Sequence, residues 1–88
     1  MKLVIKDDWG FNSMNNVSDH IEVTDDPILD EKDAAIKRFN LQILREKMAW
    51  YEALDPSRSL KLRKRIYLIQ RAVDMLVSQL AVWNTHVE

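Results

Sequence analysis

The most regular hydrophobic pattern in the chain runs through its last third. From position 62 onward, apolar residues recur at alternating steps of four and three: Leu62, Ile66, Ile69, Val73, Leu76, Leu80, Trp83 and Val87. This spacing is typical of a coiled-coil seam, in which one stripe of a helix packs along a neighbouring helix. The pattern predicts a long helix over 56–86.

A less regular pattern predicts another helix over 27–54. Its seam is assigned to Leu29, Ile36, Phe39, Ile43, Trp50 and Ala53. Asp26-Pro27 is one start signal, because aspartate caps helix N-termini and proline fits the first helical position. Asp30-Glu31-Lys32-Asp33 is a second start signal, because it places acids where the helix dipole favours them.

The two helices are expected to meet at a tight turn at residue 55. The residue before a proline is disfavoured in helical conformation, so the first helix should end near Leu54. Asp55 is then expected to cap the second helix from Pro56. Such a short turn allows only antiparallel neighbours, which would place Leu29 near Trp83. We therefore predict an all-α antiparallel helical hairpin over 27–88.

More apolar residues are present than one hairpin can bury. Leu68, Met75 and Val82 repeat every seven residues on the face opposite the second seam, and Leu41, Leu44, Met48 and Tyr51 widen the first stripe. Soluble monomers rarely expose an apolar patch of this extent. A second copy would cover it, so we expect a homodimer that forms a four-helix bundle. The alternative is a monomer that docks on a different protein.

Residues 1–26 are predicted to form a mostly irregular acidic arm, since turn-forming residues such as Gly10 collect there. Two pieces have strand character: Leu3-Val4-Ile5, and the alternation of Val17, Ile21 and Val23. These pieces are expected either to pair with each other or to add to the sheet edge of a partner. A two-stranded hairpin alone would be only marginally stable in water.

The net charge of −1 hides an uneven distribution, because nine of the 14 acids lie in residues 1–33 and ten of the 13 bases lie in residues 34–88. Six bases follow the predicted turn: Arg58, Lys61, Arg63, Lys64, Arg65 and Arg71. Bases at a helix start oppose the helix dipole, so they can mark an anion-binding patch for nucleic acid. The simpler interpretation is a solvated face, or a counter-surface for the acidic arm.

Trp9 and Phe11 stand beside Asp7 and Asp8 in an otherwise polar segment. Large apolar side chains can anchor a small interface, so this segment resembles a docking peptide. The alternative interpretation is that both rings fold back onto the helices.

No catalytic or ligand-binding motif is present. The chain has no cysteine, which excludes disulfides and thiolate metal sites, and its one glycine excludes a phosphate-cradling loop. The two histidines have no further ligand pair at metal-binding spacing, so we expect no metal, cofactor or enzymatic activity. No apolar run reaches the ~18 residues of a membrane helix, and no signal segment is visible. We therefore expect a cytoplasmic protein without a membrane partner.

These patterns favour a non-enzymatic protein–protein interaction module, such as a small regulator, inhibitor or adapter that binds a larger protein. The residues predicted to bind the partner are Trp9, Phe11, Leu68, Met75 and Val82. One alternative is a nucleic-acid-associated protein that uses the basic start of the second helix. Another is a structural subunit of a larger assembly.

Overall fold

The structure, a computed structural model, describes residues 2–6, 20–55, 57 and 59–87. Along the chain lie two strands and then two helices, which are β1 (Lys2–Lys6), β2 (His20–Thr24), α1 (Glu31–Glu52) and α2 (Leu60–Val87). The two helices pack against each other, and both strands contact α2. The predicted helical pair is confirmed, and a two-stranded sheet is added to it.

Helix α1 uses the second of the two predicted start signals. Asp30 is its N-cap, and the Asp30 side chain accepts a hydrogen bond from the backbone N–H of Asp33 at 2.7 Å. In return, the Asp33 carboxylate accepts from the backbone N–H of Leu29 at 3.4 Å, which approximates a capping box. The predicted start at residue 27 is therefore wrong, because the capping contacts form at Asp30, about one turn later.

The connection between the helices is longer than predicted. Helix α1 ends at Glu52 and α2 begins at Leu60, so a helix start at residue 56 is wrong. The Ser59 hydroxyl accepts from the backbone N–H of Leu62 at 3.1 Å and therefore acts as the cap. Asp55 has a φ of 58°, in the left-handed region, whereas an N-cap residue requires extended backbone. Asp55 thus reverses the chain rather than starting a helix.

Helix α2 packs along the seam that its sequence predicts. Leu62, Ile69, Val73, Leu76 and Leu80 are all buried, and Ile66 and Trp83 are half-buried. Leucine, isoleucine and valine at this spacing form the longest apolar stripe on α2, so burying that stripe removes more apolar surface from water than burying any other face. The side chain of Val87, the last seam position, lies outside the described residues.

Helix α1 turns a different face inward from the predicted one. Of the predicted seam only Ile43 is buried, whereas Leu29 is 81% exposed, Ile36 51%, Phe39 57% and Trp50 43%. The buried residues are instead Ala34, Ile43, Leu44, Lys47 and Tyr51, with Leu41 and Met48 packed against them. Leu44 and Tyr51, which the sequence pattern placed outside the predicted seam, are therefore in the core, and Leu41 and Met48 pack against it. The two stripes have the same 3-4 spacing, so periodicity alone does not distinguish them.

The strands confirm one of the two predicted arrangements, since they pair with each other. The pairing is antiparallel, with Leu3 opposite Val23 and Ile5 opposite Ile21. Alternation along each strand puts these four residues on one face, which packs into the helical core. This contact supplies the burial that an isolated hairpin lacks. Val17 lies outside the described residues, so its predicted place in a strand stays untested.

Candidate protein-interaction surface

Three large apolar side chains are left exposed on one side of α1. Ile36, Phe39 and Trp50 are spaced so that they project from one side of the helix, flanking the buried Ile43. We call these three residues the α1 apolar face. The Trp50 ring meets the ring of buried Tyr51 edge to face, with centroids 5.4 Å apart and planes at 72°. One side of this face is therefore held against the core.

The α1 apolar face is exposed in two places, because buried Ile43 separates Ile36 and Phe39 from Trp50. Side chains of this size carry about 150–250 Å² each, so half-exposure of three gives roughly 300 Å² of apolar surface. This summed area equals the lower end of the range for the largest single patch on a typical soluble monomer, which is about 300–600 Å². Two further leucines, Leu29 and Leu54, are exposed just beyond the two ends of α1. The face and its ends thus form a candidate interface.

The predicted partner-binding residues of α2 are not equally accessible. Leu68 and Met75 are half-buried and pack against the core cluster to which both strands contribute, whereas Val82 is 70% exposed. The strands therefore occupy part of the face that was expected to meet a partner. Trp9 and Phe11 lie outside the described residues, so their predicted role stays a prediction.

Three of the six predicted anion-binding residues come together in one place. Lys61, Lys64 and Arg65 line a groove of about 510 Å³ with Val4 and Leu68. The i, i+3 and i+4 spacing of the three bases brings them onto adjoining positions of α2. Arg63 and Arg71 are exposed but do not line this groove, and Arg58 lies outside the described residues.

A second apolar site lies near the end of α2 and was not predicted. It is a cleft of about 480 Å³ between the segment after β2 and the last turns of α2, and we call it the Trp83 cleft. The Trp83 indole N–H donates to Glu31 Oε2 at 3.3 Å, and Arg38 donates to Glu31 Oε1 at 2.7 Å. Both hydrogen bonds lower the pKa of the Glu31 carboxyl, and the bond from Arg38 has the larger effect. Two residues of the cleft carried a signal in the sequence: Trp83 as a seam position, and Val82 as a predicted partner-binding residue.

Neither a metal site nor a membrane segment is found in the part of the chain that the structure describes. Residues 2–6, 20–55, 57 and 59–87 contain no group of three or more histidine, aspartate or glutamate side chains placed to hold a metal ion. Over the same ranges, neither helix has a stretch apolar enough to cross a bilayer. Comparisons with known protein families, with curated proteins and with solved structures find no significant match.

Proposed function

We propose that this chain is a non-enzymatic protein–protein interaction module that works as a homodimer, with the α1 apolar face at the dimer contact. The observation that carries the proposal is the half-exposure of Ile36, Phe39 and Trp50 on one side of a well-packed helix. Leaving such side chains in water is unfavourable, and covering them is the main driving force for association. The dimer would present its remaining surface to a larger protein, which it would inhibit, adapt or assemble.

The spacing of the α1 apolar face suits a two-fold contact. Ile36 and Trp50 lie at equal sequence distances on either side of Ile43. Antiparallel packing of α1 on α1 of a second copy, with the axis near Ile43, would place each Ile36 against the Trp50 of the other copy. A two-fold interface must be self-complementary in this manner. Two helical hairpins joined through α1 would form a four-helix bundle.

The α1 apolar face, at roughly 300 Å², would form the apolar centre of a dimer contact rather than the whole of it. A standard interface buries about 800 Å² per partner around a small set of dominant anchors. The α1 apolar face supplies the aromatic anchors, and polar residues beside it would form the rim. The exposed Leu29 and Leu54 would extend the contact at its two ends.

Sedimentation equilibrium at micromolar concentration tests the dimer. The wild type is expected at about twice the chain mass of 10.4 kDa. Phe39→Glu places a charge in the contact and should give the monomer mass, with an intact circular dichroism spectrum. Tyr67→Glu is the matched control, because Tyr67 is a similarly exposed aromatic residue on α2. A wild-type chain that stays monomeric, or a Phe39→Glu variant that stays dimeric, would contradict the proposal.

A second candidate function, nucleic-acid association, is favoured by the groove that gathers Lys61, Lys64 and Arg65. Phosphate contacts release counterions, so such binding must weaken steeply as salt rises. A mobility shift with duplex DNA or RNA at low salt tests this function. Lys64→Glu should abolish the shift, whereas Lys32→Glu, an exposed charge reversal on α1, should leave most of it. Absence of any shift at low salt would eliminate this candidate.

A further inference from the structure

A basic stripe with one exposed aromatic ring runs along the solvent side of α2. Leu60, Arg63, Lys64 and Tyr67 are all exposed, and their spacing of three and four residues places them on one face of the helix. We call these four residues the Tyr67 stripe. The Tyr67 side chain is 63% exposed, and its ring contacts no other aromatic ring among the described residues. A flat aromatic surface is therefore open to solvent beside two bases.

The two bases of the stripe have no counter-charge in the part of the chain that the structure describes. The side chains of Arg63 and Lys64 make no ion pair or hydrogen bond with residues 2–6, 20–55, 57 and 59–87. From position 56 to position 73 the sequence has six bases and no acid. The next acid, Asp74, accepts a hydrogen bond from Gln70 at 2.8 Å and lies about two turns beyond Tyr67. The stripe therefore presents positive charge to an anionic partner.

The stripe combines two kinds of binding group, and single-stranded nucleic acid can use both. Arginine and lysine donate to phosphate oxygens, and an exposed tyrosine ring is a surface on which a base can stack. Residues three and four apart have Cβ atoms about 5–6 Å apart, so one nucleotide can reach the Tyr67 ring with its base and Arg63 or Lys64 with its phosphate. The bases of a duplex are stacked on each other and are closed to such a contact.

An anionic lipid surface fits the stripe less well. The bases would meet its headgroups, but peripheral membrane binding grows with the apolar area that is inserted. Leu60 and Tyr67 are the only apolar side chains of the stripe, and they lie two turns apart on the side of a helix. The aromatic ring between bases therefore favours nucleic acid over lipid.

We propose that the Tyr67 stripe binds single-stranded nucleic acid, with a base stacked on the Tyr67 ring and the adjoining phosphates at Arg63 and Lys64. This role rests on the nucleic-acid function considered above, and it adds the class of ligand and the stacking residue. Lys64 also lines the groove with Lys61 and Arg65, so a bound strand can continue from the stripe into that groove. Tyr67 lies outside the α1 apolar face, so binding here does not require the proposed dimer contact.

Fluorescence anisotropy of a labelled single-stranded oligonucleotide, titrated with the full-length chain at low salt, tests the proposal. Tyr67→Ala should weaken binding about ten-fold, because it removes the stacking surface. Tyr67→Phe is the matched variant, since it keeps the ring, and it should bind as the wild type does. Arg63→Gln should lower the slope of log Kd against log salt concentration by about 0.7, the value for one phosphate contact of a single strand. Circular dichroism should show unchanged helix content in all three variants, because both positions are exposed.

The controls separate this proposal from the nucleic-acid function itself. The same strand annealed to its complement should bind more weakly, and Tyr67→Ala should change its affinity little. Equal affinity of wild type and Tyr67→Ala for the single strand would overturn the proposal, and duplex binding through the groove would then stand without it. Binding of neither form at low salt would eliminate both. Polyglutamate that competes as well as an unlabelled strand of equal charge, or phosphatidylglycerol vesicles that bind more tightly than the strand, would also overturn the proposal, because neither ligand offers a base.

Discussion

The two candidate inward faces of α1 can be separated by a pair of substitutions. Leu44 is fully buried, although the hydrophobic pattern alone assigned it to the surplus stripe. Ile36 is about half exposed, although the pattern assigned it to the seam. Leu44→Ala and Ile36→Ala remove comparable amounts of aliphatic side chain. The substitution that lowers the free energy of unfolding more therefore identifies the stripe that packs against α2.

The burial of the two side chains predicts different losses in the free energy of unfolding for the two substitutions. Truncating a buried leucine to alanine costs about 2–5 kcal/mol, because it loses transfer free energy and leaves a cavity. Taking about 3 kcal/mol for Leu44→Ala, and a shift of about 4–8 °C per kcal/mol for a domain of this size, the melting temperature should fall by about 12–24 °C. Ile36 is covered over only half its surface, so Ile36→Ala should cost about 1 kcal/mol.

Urea unfolding followed by circular dichroism measures both free energies. The curves should be recorded at low and at high protein concentration, since a dimer contact at Ile36 would add a concentration-dependent loss. Leu29→Ala is the control, because the Leu29 side chain is almost fully exposed and its loss should change little. If Ile36→Ala at low concentration costs as much as Leu44→Ala, the inward face of α1 described above is wrong.

Three further outcomes follow from individual hydrogen bonds. Ser59→Ala should lower the free energy of unfolding by about 1 kcal/mol through loss of the α2 cap, while Ser57→Ala, on the exposed connection, should cost less in the same urea assay. Gln79→Met should cost about 1–3 kcal/mol, because it releases two backbone carbonyls from their shared donor, and amide exchange in β2 should then speed up. The folded-state pKa of Glu31 lies below its ordinary value of 4.5, so the stabilisation from its contacts is present above pH 4.5 and lost as pH falls through the folded pKa. The Trp83 indole N–H resonance should move in that acidic window and should lose this titration in Glu31→Gln.

The sequence by itself determined the seam face of α2 and the inward face of each strand, whereas the pairing of the two strands with each other came from the fold. On α2 one stripe of aliphatic residues repeats without interruption from Leu62, so burial of any other face would expose it. The alternation at Leu3 and Ile5, and at Ile21 and Val23, likewise allows only one face of each strand to turn inward. On α2 the stripe that begins at Leu62 is longer and more regular than the stripe of Leu68, Met75 and Val82, and the packing followed the longer one.

Only the tertiary structure decided the inward face of α1, the helix starts and the Trp83 cleft. Helix α1 carries two stripes of equal spacing, and the choice between them depends on how closely each fits against α2 and the sheet. Two capping signals compete at its start, and the one at Asp30 prevails through contacts to Asp33 that a sequence does not reveal. The cleft joins Pro27 to Trp83, which are distant in the chain, because side chains from separate segments meet only when the chain has folded.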